Sequence, residues 1–139
     1  MPHWRRCVAL FAAAGLTGAC AGAPPARGPW QVTVSAAAPA HIEAIGLRLE
    51  WLDLKDERCP VEVRCVWAGH ATLRLRATLA NAPAQTLELG TSAPPGSDLP
   101  GDARLGPWRL HLSALEPARR QAGVPPDEYV AHLSVGAAD

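Results

Sequence analysis

Past residue 20, the side chains of this sequence that could take part in acid–base, nucleophilic or metal chemistry are sparse and widely spaced. The histidines there are His41, His70, His111 and His132, and no two stand at the His-x-His or His-x3-His spacing that presents a pair to one metal. Only His111 and His132 offer a route to a shared site. By strand parity His111 falls on the face opposite Leu110 and Leu112, and His132 on the face opposite Leu133. If their strands are neighbours, both imidazoles share an outer face, where they would either take a transition metal or stand as solvated surface groups. The solvated reading is the simpler one, so no metal and no other cofactor is assigned. Ser92, Ser97, Ser113 and Ser134 lack the Gly-x-Ser-x-Gly turn of a hydrolytic nucleophile. Asp56-Glu57 and Asp127-Glu128 are sequence neighbours, which on a strand point to opposite faces instead of flanking one bond. Five residues separate Cys59 from Cys65, against the two of most catalytic dithiols. None of these patterns supplies a catalytic residue, and the chain reads as a non-enzyme.

The compartment is written in the amino terminus. Arg5 and Arg6 precede an apolar run from Cys7 to Leu16, and the small residues Gly18 and Ala19 follow, in the order of an export signal. That run is ten residues long, whereas a helix crossing a bilayer core needs about 20. Its ending, Leu16-Thr17-Gly18-Ala19-Cys20, resembles the lipobox of bacterial lipoproteins, with Thr17 where an aliphatic residue is more common. The resemblance implies cleavage before Cys20, a diacylglyceryl group on its thiol and acylation of the new amine. Ala21 in the following position implies the periplasmic face of the outer membrane. The expected organisation is a lipoprotein signal peptide over 1–19, a Pro/Gly-rich lipid-anchored tether over 20–29 and a single β-domain over 30–139. With Cys7 in the signal and Cys20 at the lipid, Cys59 and Cys65 remain, and an oxidising compartment favours a disulfide between them.

Composition narrows the partners. The chain has 13 basic and 13 acidic residues, and Arg5 and Arg6 leave with the signal, so the exported part is slightly acidic. Such a balance excludes the basic surface of a nucleic-acid-binding domain.

Period-two alternation supplies the elements that must position the chemistry. Trp30, Val32 and Val34 share one face from Trp30 to Ser35. Ile45, Leu47, Leu49 and Trp51 do so from Ile45 to Leu54, with a bulge expected near Trp51 where the alternation breaks. Val66 to Leu79 gives the clearest strand, with Ala71, Leu73, Leu75, Ala77 and Leu79 alternating with Thr72, Arg74, Arg76 and Thr78. Thr86 to Leu89 should return as its hairpin partner across a turn at Asn81 to Ala84. Gly90 to Gly106, with Pro94-Pro95-Gly96 and Pro100-Gly101, reads as an exposed loop. A strand from Trp108 to Leu115, a loop from Glu116 to Asp127 and a last strand from Glu128 to Val135 complete the chain. Six short strands with polar outer faces imply an all-β fold, a small antiparallel β-sandwich or barrel with one short-loop disulfide.

The least random stretch is Asp56-Glu57-Arg58-Cys59-Pro60-Val61-Glu62-Val63-Arg64-Cys65-Val66-Trp67-Ala68-Gly69. It resembles the Asp-Ser-Arg-Cys-Pro…Cys-x-Trp-Ala-Gly motif of small secreted or lipid-anchored bacterial β-domain proteins, with Glu57 where Ser is usual. The resemblance runs from about Gly46 to Leu79 and is echoed by Glu116-Pro117 and by Asp127-Glu128-Tyr129-Val130-Ala131. It implies fold and compartment and names no ligand. From the residues themselves, Pro60 should fix a turn, Cys59 and Cys65 close it, and Trp67 bury its ring beside the bridge. Gly69 should let the next strand bend. Asp56 should order the loop by pairing with Arg58 or by accepting backbone amides.

Together these readings describe a lipid-anchored cell-envelope β-domain, either structural or binding a protein, peptide or other envelope component through its long loops. The alternatives are a metal- or small-ligand-binding β-barrel, an aromatic platform built from Trp30, Trp51, Trp67 and Trp108, and a divergent enzyme.

Overall fold

Ala71, Leu73, Leu75 and Ala77 are wholly buried, while Arg74 and Arg76 between them are exposed. One strand face therefore meets a core and the other meets water, the arrangement an antiparallel sheet needs to cover only one side. The computed structural model describes residues 28–139. The expected signal peptide, the lipidation candidate Cys20 and the expected tether up to residue 27 lie outside the described residues.

Eight strands follow one another: β1 (Trp30–Ser35), β2 (Ala40–Ile42), β3 (Leu47–Asp56), β4 (Ala71–Leu79), β5 (Gln85–Gly90), β6 (Ala103–Leu105), β7 (Trp108–Glu116) and β8 (Val130–Ala137). They form two four-stranded antiparallel sheets, ordered β1-β8-β7-β6 and β2-β3-β4-β5. The inner faces meet in one core, with Val34, Leu110 and Leu133 from the first sheet against Leu49, Leu73 and Leu75 from the second. Each buried leucine contributes about 1.5–3 kcal/mol. Trp30 and Trp108 meet edge to face at 5.3 Å where β1 and β7 flank β8, a quadrupole-favoured contact at the rim of that core.

Two short strands were not expected. Ala40–Ile42 pairs with the start of β3, and Ala103–Leu105 lies inside the segment read as an exposed loop, where Leu105 is 1% exposed. Each has three residues, too few for alternation to register. The strand expected from Val66 begins instead at Ala71, because the disulfide loop occupies the preceding residues. The bulge expected near Trp51 is present, with the register slipping between Trp51 and Asp53, and a second slip falls between Leu112 and Ala114 in β7.

Strand direction gives the domain two distinct ends. Trp30 pairs in register with Val135, and Trp108 with Ala137, at one end, where the chain enters at Gly28. Ser35, Val130 and Glu116 are neighbours at the other, reached also by Asp56 at the end of β3. At a rise of about 3.3 Å per residue, the ten-residue β3 separates the two ends by roughly 30 Å.

Candidate functional site

The segment between β3 and β4 grows out of the sheet as a narrow neck. Glu57 N–H donates to the His70 carbonyl at 2.8 Å and Cys59 N–H to the Ala68 carbonyl at 2.7 Å, extending the β3–β4 pairing past its last ladder residues. Beyond the neck Pro60 starts a turn closed by Val63 N–H, and the Cys59–Cys65 disulfide, with Cα atoms 5.9 Å apart, shuts the loop. Gly69 sits in this neck with φ +77°. A Cβ there would lie 2.2 Å from the Glu57 carbonyl oxygen, so the position demands both a left-handed residue and the absence of a side chain.

One part-buried ion pair ties the loop to the opposite sheet. Asp56 Oδ1 accepts from Arg58 backbone N–H at 3.1 Å and from Nε at 2.8 Å, while Oδ2 accepts from Arg58 Nη2 and from the Tyr129 hydroxyl, each at 2.8 Å. Both expected roles of Asp56 are thus combined in one carboxylate. The same guanidinium donates to the Leu115 carbonyl at 2.7 Å and the Pro117 carbonyl at 2.9 Å, so one side chain bridges the two sheets. Its fork geometry suits this work in a way lysine would not. Burial on its own pushes the Asp56 carboxyl up, but the bonds from Arg58 and Tyr129 and the Arg58 charge more than reverse it, and the group titrates below the usual carboxylate range. The Asp56 hydrogen bond holds the Arg58 guanidinium even more firmly protonated. Burial, then the Asp56 carboxylate, raise the Tyr129 phenol, so it remains a donor at neutral pH.

Because Asp56 has a lower pKa folded than unfolded, its stabilisation is present above the ordinary aspartate value and fades as pH falls below about 4. Urea titrations from pH 6 to pH 3 should show a fall in unfolding free energy that is smaller in Asp56→Asn. An equal fall in both chains would show that other carboxylates carry the acid response.

The loop also docks sideways on the segment that follows β7. Val61 N–H donates to the Arg119 carbonyl, Arg119 Nη1 donates to the Arg58 carbonyl at 3.2 Å, and Gln121 N–H donates to Glu62 Oε2 at 3.0 Å. With so many ties outside the disulfide, breaking it should cost only about 2 kcal/mol by loop entropy. Cys59→Ser/Cys65→Ser should therefore remain folded in circular dichroism with a modestly lower urea midpoint; outright unfolding would show the disulfide to be the main support of this end.

Trp67 departs from expectation. It is half exposed, and Val66 beside it is completely so, because the neck holds residues 60–67 clear of the core. Val61 and Val63 are exposed on the same loop. Behind the loop's base, His70 is 3% exposed, with Nδ1 3.5 Å from the Thr91 hydroxyl oxygen and Nε2 without a partner. Gly90 leaves its ring that room, since a Cβ there would stand 2.3 Å from Nε2.

Beside the ion pair a cleft of about 450 Å³ opens between the β3 bulge and the stretch before β8. Trp51, Leu52 and Leu54 form one wall and Val124, Pro126 and Tyr129 another, with Asp53, Asp56 and Arg119 supplying the polar edges. Neither Tyr129 as a partner of Asp56 nor Arg119 was singled out from sequence. For Tyr129, 6% exposed, the need of a buried phenol for an acceptor was the available signal.

His111 and His132 do occupy neighbouring strands, on the outer face of β7 and β8, but each is engaged separately. His111 pairs in register with Ser134 and its Nδ1 lies 2.7 Å from Asp102 Oδ1. His132 pairs with Ala114, its Nδ1 3.3 Å from the Thr33 hydroxyl oxygen and its Nε2 3.5 Å from Glu116. Among the described residues no group of three or more His, Cys, Asp or Glu side chains is placed to hold a metal ion. Asp127 and Glu128 fall in a short 3-10 turn, where Glu128 binds Arg120 at 2.9 Å. Compared with protein-family models, with curated proteins and with solved structures, the chain matches none.

Proposed function

We propose that this chain is an exported, lipid-anchored binding domain of the cell envelope, which holds its disulfide loop away from the membrane to meet a protein or peptide partner. The observation that carries this reading is the placement of exposed apolar side chains. Of the six large ones among the described residues, four (Val61, Val63, Val66 and Trp67) crowd onto the one loop. Apolar side chains gathered on one loop and kept in water by a disulfide and an ion pair mark a contact surface. The loop stands at the end opposite Gly28, where the chain enters the domain. A tether over residues 20–29, anchored through Cys20, reaches at most about 35 Å when extended. It would leave the loop facing away from its own membrane surface.

A photo-cross-linking residue at position 66 of the full-length chain, expressed in its own cell, tests this reading against the same residue at exposed position 86 on β5. Position 66 should yield a discrete adduct that is lost in Trp67→Asp, and position 86 should not. The reading is overturned if neither position yields an adduct or both yield the same one.

A further inference from the structure

We infer that the cleft beside the disulfide loop binds the carboxyl terminus of a peptide whose last residues are apolar. This rests on the reading of the domain as a binding module and names the chemistry its second surface would recognise.

Among the described residues the fold leaves one arginine at the cleft without a carboxylate partner. Asp56 lines the cleft, and its charge is answered by Arg58, which pairs with it at 2.8 Å. Arg119 differs. Its Nη1 donates to the Arg58 carbonyl at 3.2 Å, and among the described residues the guanidinium has no carboxylate within ion-pair reach. Nε and Nη2 are therefore free to grip an incoming carboxylate in the two-pronged geometry natural to arginine. The backbone on both sides holds this cation in place: the Arg119 carbonyl accepts from Val61 N–H, and its side chain is tied to residue 58. A preorganised cation loses less freedom on binding than one on a free surface stem.

The walls set the rest of the ligand. Trp51, Leu52, Leu54, Val124 and Pro126 offer apolar surface, and a volume of about 450 Å³ matches one or two residues with large side chains. Leu52 is 40% exposed, made available by the bulge that breaks β3 at this point. Asp53, at the same bulge, lines the cleft, and its side chain forms no ion pair or hydrogen bond among the described residues. A carboxylate on that side repels a second anion and welcomes an N–H donor. A peptide end supplies all three features at once: a carboxylate for Arg119, an apolar side chain for the walls and a backbone N–H for Asp53. A fatty acid supplies only the first two.

Isothermal titration of the folded domain with N-acetyl-leucyl-phenylalanine, its C-terminal amide and octanoate separates these cases. The acid should bind at least about tenfold more tightly than the amide, the difference expected when one charged hydrogen-bonded contact worth about 1.4 kcal/mol or more is lost. Octanoate should bind more weakly than the acid. Arg119→Gln should abolish the preference for acid over amide, while Arg120→Gln, outside the cleft, should leave it intact. Equal binding of acid and amide by the unaltered domain, or binding of neither at millimolar concentration, overturns the proposal. Equal binding by octanoate overturns the peptide assignment. The acid–amide comparison needs no variant, so it stands even if Arg119→Gln loosens the loop. Cross-linking from position 66 that persists in Arg119→Gln while the acid preference is lost would separate this site from the apolar loop tip.

Discussion

Arg58→Met should destabilise the domain by about 3–5 kcal/mol, a large share of the 5–15 kcal/mol that holds a domain of this size folded. Removing the guanidinium leaves Asp56, with a side chain only 7% exposed, holding a negative charge answered only by the Tyr129 hydroxyl and the backbone N–H of residue 58. It also strips the Leu115 and Pro117 carbonyls of their donor. The methylene stem of methionine keeps most of the packing, so the loss reports the charge and not a cavity. Two further chains identify the cause. Asp56→Asn/Arg58→Met should recover part of the loss, because the unpaired buried charge is gone, and Tyr129→Phe should cost less, about 1.5–3 kcal/mol for one bond to a charged group. Urea unfolding followed by tryptophan fluorescence measures all three. A double variant no more stable than Arg58→Met would mean that the bridge from Arg58 to Leu115 and Pro117 matters more than neutralising Asp56.

Gly69→Ala should be nearly as damaging, at about 2–5 kcal/mol. The φ of +77° costs an alanine about 1–2 kcal/mol, and the new Cβ would meet the Glu57 carbonyl oxygen and the Arg58 Cα at 2.2 and 2.7 Å. Both neighbours are backbone in the neck of the disulfide loop, so neither can swing aside. Relief would require opening the Glu57–His70 and Cys59–Ala68 hydrogen bonds, which would release the loop from its base. The thermal midpoint should fall by about 8 °C or more at about 4–8 °C per kcal/mol. By contrast Gly96→Ala, where φ is +78° but no atom lies within 4 Å, should cost only the backbone strain. Similar losses in the two variants would show that the close approach at Gly69 carries no weight.

These two residues also show what could be read in advance. Alternation made the all-β class and the longer strands legible, because each long strand covers one side of a shared core: Leu73 and Leu75 in β4 and Leu133 and Val135 in β8 are all wholly buried. The disulfide was legible from the two cysteines that remain once Cys7 and Cys20 are assigned to the expected signal and lipid site. Asp56 and Arg58 could be paired because they are two residues apart. Their reach to Tyr129, Leu115 and Pro117 was not legible, because it depends on how the second sheet lies over the first, which no local pattern encodes. Trp67 was misread for a related reason. Large aromatics are usually buried, and only the neck formed by Glu57, Cys59, Ala68 and His70 shows that this one is held outside the core. The cleft at Trp51 and Arg119 likewise joins segments more than sixty residues apart in the chain.

Anchoring through Cys20 is the claim on which the orientation of the loop depends, and the intact mass of the chain recovered from its own cells tests it most directly. The mass should equal residues 20–139 with one disulfide, plus a diacylglyceryl group and an amide-linked acyl chain, and the chain should sediment with membranes. Cys20→Ala should yield an unacylated protein that leaves the membrane fraction. A chain of unmodified mass that remains soluble, or one that keeps residues 1–19, would contradict the account.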